Sequence, residues 1–335
     1  MESTKAAGTA GKWPRAVPGV ENIPDADNSG RGSQRTVAQT MEDVIARRPV
    51  LAPVLRAFEP LLSAQAELAE ALADALPEDF ALTEPWNIQS GSSPAAAPGY
   101  SPAAWFDSGN WPEGSAGLLR YSAEKLLPLL TRLEALQPHQ AALEAFFLRP
   151  ADKKTHKKSK ESVDPLMLNF VGSFVISPVL RAMTTQLARV NGQTVWEKGA
   201  DGQEGHCPVC GSLPSIGFLD KPVVDAKNAF LAGGGGKKHL HCGLCGANWK
   251  FQRGTCPNCG EKGGGVMEIL RESGIAHGER LDWCTKCKTY CPTLDLRECE
   301  FMPNLDAAAL GMMHLDMVAA RKGLLPLKPS FWNIF

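Results

Sequence analysis

The chain has 335 residues, 44% of them hydrophobic, and a formal net charge of −1. That length admits one large domain or, more naturally, two ordinary ones, and the apolar share is enough for a packed core. The balanced charge removes the basic domain on which nucleic-acid binding depends, so no nucleic-acid partner is expected. Residues 1–20 contain no apolar run long enough for a signal peptide. All ten cysteines lie at or after Cys207. A reducing cytoplasm, where thiols bind metal rather than each other, is the expected setting.

Residues 1–36 are rich in Gly, Pro, Ser and Asp and read as a disordered tail. From Thr40 to about Leu76 the pattern is helical, with Pro49, Pro53 and Pro60 expected to break it or to sit in first turns. A Pro/Gly/Ser-rich loop follows over 91–114, and helical patterning returns at 117–148 and 164–190. Between those two helical stretches lies 149–161 with its five lysines, a solvated linker or else a docking strip for an acidic partner. The most apolar stretch, 166–183, contains Asn169, Pro178 and Arg181 and reads as buried helix rather than membrane span.

After Val190 glycine becomes dense, and short β-type segments are expected at 215–219, 238–241, 248–252 and 290–296. A last helix is expected over 304–322, capped by Asn304 and stopped by Gly323. Its apolar stripe would be Leu310, Met313, Met317, Ala320 and Leu324.

Four Cys-x-x-Cys pairs carry the chemistry: Cys207/Cys210, Cys242/Cys245, Cys256/Cys259 and Cys284/Cys287. Two residues between cysteines let both thiolates face one tetrahedral ion. Glycine follows three of the pairs, at Gly211, Gly246 and Gly260, where a tight knuckle needs positive φ. Lys288 takes that place in the fourth. The gaps between pairs are 31, 10 and 24 residues, which suits two consecutive ribbons, 207/210 with 242/245 and 256/259 with 284/287. An interleaved arrangement is the rival. Two ions per chain, iron or zinc, are implied, because tetrahedral thiolate sites accept both.

A redox dithiol is disfavoured, since no βαβ pattern surrounds the pairs. Cys291 and Cys299 lack iron–sulfur spacing and read as free buried or strand cysteines. His206 and His241 read as strand residues or supports beside the sites, and Trp249 and Phe251 as packing for a ribbon. No nucleophile elbow, phosphate loop or dinucleotide fingerprint is present in the sequence, so no catalytic or cofactor-binding residue is assigned and no enzyme activity is expected.

The expected fold is α+β: an N-terminal all-helical domain, two consecutive rubredoxin-like or zinc-ribbon modules, and a C-terminal helix. The boundaries would fall at 37–200, 201–255, 256–300 and 301–335, after the tail.

Three stretches, GHCPVCGSLPSIGFL (205–219), HLHCGLCGANWKFQRGTCPNCG (239–260) and WCTKCKTYCPTLDL (283–296), together resemble the formate dehydrogenase accessory protein family, FdhE. The segment LDAAALGMMHLDMVAARKGLLP (305–326) is similar to that family's final helix. The resemblance is good from about residue 164 onward and rests only on helical character before it. It implies a cytoplasmic factor needed for active respiratory formate dehydrogenase. Such a factor acts on the molybdenum- or tungsten-containing catalytic subunit before export, and carries rubredoxin-like ribbons able to hold iron. The tail, the basic 151–161 insert, the Gly233–Gly236 run and the ending 331–335 depart from the family. The readings left beside it are a nucleic-acid-binding zinc ribbon and a rubredoxin-like redox protein.

Overall fold

Apolar residues recurring every three or four positions make the first half helical. A computed structural model describes residues 34–76, 115–148, 163–191, 205–221, 236–274, 277–330 and 332–333, with the side chains of 115–116 and 190–191 left out. The tail up to residue 33, the loop 91–114, the basic segment 149–161 and the glycine run up to 235 lie outside the described residues.

Helix α1 (Val37–Arg47) opens on a capping box. Thr36 Oγ1 accepts from Gln39 N at 3.2 Å, and Gln39 Oε1 accepts from Thr36 N at 3.0 Å. The expected tail of 1–36 therefore ends too late: Gln34 bridges Met302, and the Arg35 guanidinium lies over the Phe301 ring.

Pro49 starts a short turn of 3₁₀ helix and Pro53 sits in the first turn of α2 (Ala52–Ala75). Pro60 departs from expectation, because α2 runs straight through it. Pro60 is on the exposed face, where water can serve the unpaired carbonyl. Opposite it, Leu55, Phe58, Leu61 and Leu62 are buried, and their packing outweighs the roughly 3 kcal/mol that an interior proline costs.

Helices α3 (Ser115–Leu130), α4 (Gln140–Phe147) and α5 (Pro165–Asn191) complete the helical layer. α5 is its centre and packs against both α2 and α3. Its N-terminus is capped by Asp164, whose Oδ1 accepts from Leu166 N at 2.7 Å. Among the described residues α5 is the one helix long and apolar enough to cross a membrane, yet 67% of that window is buried inside the protein.

The sheet is built from two three-stranded ribbons. The first comprises β1 (Ile216–Leu219), β2 (Lys238–His241) and β3 (Asn248–Lys250). The second comprises β4 (Met267–Leu270), β5 (Glu279–Cys284) and β6 (Thr289–Asp295). Within each ribbon neighbours are antiparallel. The two ribbons join through β1 and β6, which run parallel with Gly217 opposite Thr293 and Leu219 opposite Asp295. The strand order is β3-β2-β1-β6-β5-β4, and a two-residue β7 (Leu325–Pro326) also pairs with β6. Pro292, which has no N–H to give, falls between the stretches of β6 that pair with β7 and with β1.

β4 and β5, each with only a short apolar alternation among charged residues, were not among the expected strands. β5 buries Leu281 in the apolar core, and buried ion pairs hold its charged residues. Asp282 meets Lys238 at 2.7 Å and Arg280 at 3.0 Å, and Glu279 meets Arg47 and Arg48 of the helical layer at 3.0 and 2.8 Å. Residues 32–335 thereby form one compact unit.

The expected final helix is split into α6 (Leu305–Gly311) and α7 (Met313–Arg321), with Met312 at the break. Asn304 caps it, accepting from Ala307 N at 3.1 Å, and Gly323 ends it with φ +70°. The expected stripe holds only in part: Leu310 and Leu324 are buried and Met313 half-buried, but Met317 and Ala320 are exposed, whereas Leu305, Ala308, Met312, Leu315 and Ala319 are buried against the sheet. Both sets have helical spacing. The break at Met312 and the packing of Gly311 against Val44 of α1 select the second set.

Within this packing Asp316 is 2% exposed and accepts a hydrogen bond from the Tyr290 hydroxyl at 2.8 Å. Burial raises its carboxyl from 3.8 to about 6, a rise that the Tyr290 bond only partly opposes. A carboxyl raised in the fold contributes stability below its unfolded value and loses it as pH rises through the folded one. Asp316→Asn keeps the acceptor and removes the charge. The variant should match the wild type near pH 3.8 and gain on it up to about pH 6. At pH 8 the advantage should be about 1–3 kcal/mol, read from urea unfolding of both proteins at each pH.

Candidate metal centres

Each cysteine pair sits on a knuckle with the same backbone. The amide four residues after the first cysteine bonds back to its carbonyl. Gly211 reaches Cys207 O, Gly246 Cys242 O, Gly260 Cys256 O and Lys288 Cys284 O, at 2.8 to 3.0 Å. The donors have φ of +72°, +77°, +74° and +60°, a region that only glycine enters freely. Lys288 accepts it without glycine, and the surroundings hold it there: its carbonyl accepts from Leu325 N at 2.9 Å, and its ammonium lies 5.2 Å from the Trp283 ring centre.

The structure brings Cys207, Cys210, Cys242 and Cys245 together in one group and Cys256, Cys259, Cys284 and Cys287 in another, each within 4.8 Å. That is the sequential grouping, not the interleaved one. The sulfur separations are 3.5 Å for Cys207–Cys245 and Cys210–Cys242, 3.6 Å for Cys256–Cys287 and 3.8 Å for Cys259–Cys284. Two thiolates bound to one tetrahedral ion at 2.3 Å stand about 3.8 Å apart. A disulfide would need about 2.05 Å. The donor sets therefore fit two ions of thiolate-loving metal, and four protein ligands on each leave no vacant position for a substrate.

The two groups differ in setting. The four sulfurs of the first are buried and belong to the same apolar cluster as α2 and α5. Burial, followed by the neighbouring thiols, holds Cys207 well above the ordinary thiol range. In the second group Cys259 is exposed and Cys287 half-buried. Burial pushes the Cys287 thiol up, but the Thr289 hydroxyl, 3.0 Å away, and the Thr289 amide outweigh it and bring it down to about 6.

The first group is clamped to the helices by residues that the spacing of cysteines did not reveal. Ser177 of α5 donates to Leu244 O at 2.7 Å, and Arg181 donates to Gly243 O at 2.7 Å, both inside the second knuckle. Arg181 also pairs with Asp306 of α6 at 2.8 Å. His241 completes the node: Nδ1 meets Asn248 Oδ1 at 2.7 Å and Nε2 meets Asp306 Oδ1 at 3.3 Å. Burial would push the Asp306 carboxyl up, but Arg181 and His241 bring it down to about 2. The available signal was Arg181 itself. A single arginine inside an apolar helix needs a buried partner.

The remaining expected residues have clear places. His241 is buried in the clamp and His206 is exposed beside Cys207, so neither joins a sulfur group. Cys291 is buried in β6 and Cys299 borders the His277 and Asp295 carbonyls, with burial raising them to about 12 and about 11. Trp249 and Phe251 are buried with the helical core, so they pack the ribbon onto the helices. Gly205, just before the first knuckle, has no room for a side chain because the Pro257 carbonyl occupies that space.

Two outcomes follow from this geometry. A chelator should empty the protein in two phases. The group with exposed Cys259 should go first and the enclosed group later, with loss of the 207–250 fold. Metal content and circular dichroism, followed together in wild type and in Cys256→Ser, check the order. Arg181→Leu leaves Asp306 buried without its cation and should cost about 3 kcal/mol, read from the urea midpoint.

Comparison with known proteins agrees with this architecture. No family model matches the chain. A protein named FdhE homolog from Aquifex aeolicus is 29% identical over 128 residues, 38% of this chain and 41% of that protein. The homolog from Haemophilus ducreyi is 29% identical over 137 residues, 40% of each chain. That from Shewanella baltica OS185 is 30% identical over 123 residues, 36% of each. The match thus spans about two-fifths of the length of these relatives. In fold the likeness is broader. The crystal structure of the FdhE protein from Pseudomonas aeruginosa superposes with a TM-score of 0.54 at 18% identity, covering 90% of this chain and 97% of that one. The chain is thus similar to FdhE homologs over its cysteine-bearing part, and it shares the overall fold of the Pseudomonas aeruginosa FdhE protein.

Proposed function

We propose that this protein is an accessory factor of formate dehydrogenase. It binds the catalytic subunit in the cytoplasm, before export, and is needed for that subunit's activity. The observation that carries the reading is the pair of closed four-sulfur groups in a chain similar to the FdhE homologs. Closed sites supply folding energy rather than a place for substrate, so the ions, iron or zinc, would act by holding a binding surface in shape. Cys207, Cys210, Cys242 and Cys245 would hold one ion, and Cys256, Cys259, Cys284 and Cys287 the other. The chain would then work as a binding partner and not as a catalyst.

The first ion has the larger structural part in this reading. Its second knuckle is bonded directly to α5, so an empty site would free Leu244 and Gly243 from the helical layer. The test combines genetics with capture. Deleting the gene should abolish formate dehydrogenase activity while the client's transcript level stays unchanged, and tagged protein should retain the catalytic subunit from formate-grown cells. The double change Cys242→Ser and Cys245→Ser should reproduce the deletion and release one ion per chain. Full activity in the deletion strain, or no co-purification of the subunit under any condition tried, would sink the proposal.

A further inference from the structure

Between α2, α5 and the first ribbon lies a cavity of about 1080 Å³. Its walls include Phe58, Phe170, Phe174 and Trp332, with Phe58 in edge contact with Phe170 at 6.3 Å and with Trp332 at 5.7 Å. Its floor comes from the metal ribbon: Leu213 follows the first knuckle and Leu244 lies inside the second. At the mouth Leu166 is 64% exposed, so the apolar surface continues out of the cavity. The volume lies just beyond the 300–1,000 Å³ or so of ordinary small-molecule pockets. A large cavity with an apolar step at its entrance suits a chain segment better than a compact ligand.

The charges around it are uneven. Three carboxylates line the cavity, Asp164, Asp306 and Asp316, against the one ammonium of Lys328. Asp164 is engaged in capping α5, and Asp306 is held by Arg181 and His241. Asp316 is different. Among the described residues its carboxylate meets only the Tyr290 hydroxyl, and no cation pairs with it. A buried carboxylate with one neutral partner is costly as an anion, and a charged donor arriving from the cavity would relieve that cost. The Ser330 hydroxyl oxygen, in the same lining, is likewise buried without a partner.

We propose that this cavity seats an apolar polypeptide segment carrying one arginine or lysine, whose cation pairs with Asp316. The assignment rests on reading the chain as a client-binding factor and states the chemistry of the segment that the client must present. It also gives the first metal group a direct part in recognition, because that group sets the position of Leu213 and Leu244. A charge-assisted hydrogen bond in such surroundings contributes on the order of a tenfold change in affinity or more.

The test uses the full-length, metal-loaded protein and fluorescein-labelled nine-residue apolar peptides with a central arginine, norleucine or glutamate, read by anisotropy. On wild type the arginine peptide should bind about tenfold more tightly than the norleucine one, and the glutamate peptide more weakly than either. Asp316→Asn, which should fold at least as well as wild type, should erase the difference between arginine and norleucine. Leu213→Trp should fill the floor and weaken all three, with the urea midpoint confirming the fold. The proposal is overturned if no peptide binds. It is overturned too if the preference for arginine survives in Asp316→Asn, or if only a small apolar probe such as an anilinonaphthalene sulfonate occupies the cavity. Peptides tiling the formate dehydrogenase catalytic subunit separate the two readings. If arginine peptides bind through Asp316 and no tile does, the cavity assignment stands and the accessory-factor reading fails. If the whole subunit co-purifies equally with Asp316→Asn and wild type, the reverse holds.

Discussion

Four thiols packed within 4.8 Å of one another inside an apolar core impose the condition on which the rest of this fold depends. Deprotonated and without a cation they repel in a medium that screens little. Protonated, they give up their value as a crosslink. A tetrahedral ion removes the conflict, and in the first group it would do so at the junction between the helical layer and the sheet. Cys207, Cys210, Cys242 and Cys245 share one buried cluster with α2 and α5, so that centre belongs to the core of the whole unit. The Arg181 clamp follows from the same condition. The second knuckle turns carbonyl oxygens toward α5, and in a dry interior those oxygens need donors, which Ser177 and Arg181 provide.

The second group has looser terms. Its ribbon packs Leu281, Tyr290 and Leu294 against α6 and α7, but it meets the end of α1 through charge, with Glu279 between Arg47 and Arg48 and Glu272 on Arg48. Burial raises the Glu279 carboxyl in spite of both arginines. Buried ion pairs of this kind fix a unique arrangement more than they stabilise it. The first ribbon thus shares its core with the helical layer and the second is registered to α1 by charge, with the parallel β1–β6 pairing carrying the connection between them.

Much of this was legible in the residues. Cysteine spacing gave both sulfur groups, because the geometry of a knuckle is local and leaves a local signature. Helical periodicity gave the order of the first half for the same reason. What escaped was decided by long-range partners. β5 holds charged residues, and apart from Arg280 their counter-charges come from β2 and the end of α1, far away in sequence. The final helix carried a second set of equal spacing beside the expected stripe, and the break at Met312 and the contact of Gly311 with Val44 favoured it. Pro60 was judged on its local cost, while the gain lay in packing against α5. The role of Arg181 depends on Asp306, 125 positions later, and no periodicity links the two.

The docking of α1 on α6 has a consequence for how the chain comes into being. Residues 34–35 bond to Met302, Thr40 receives the Asn304 amide at 2.9 Å, and Val44 closes on Gly311. The sheet repeats the pattern, since β1 acquires its parallel neighbour only when β6 is made. On the ribosome, then, α1 can pack on α2 early, but the part of it that meets α6 stays uncovered until some 260 further residues have been added. Such topology folds late and exposes sticky surface meanwhile. For a polypeptide whose own work would be to attend an unfinished enzyme, the nascent stage is itself a time of need. An ion that reached Cys207 and Cys210 before Cys242 had been made would have to wait as well.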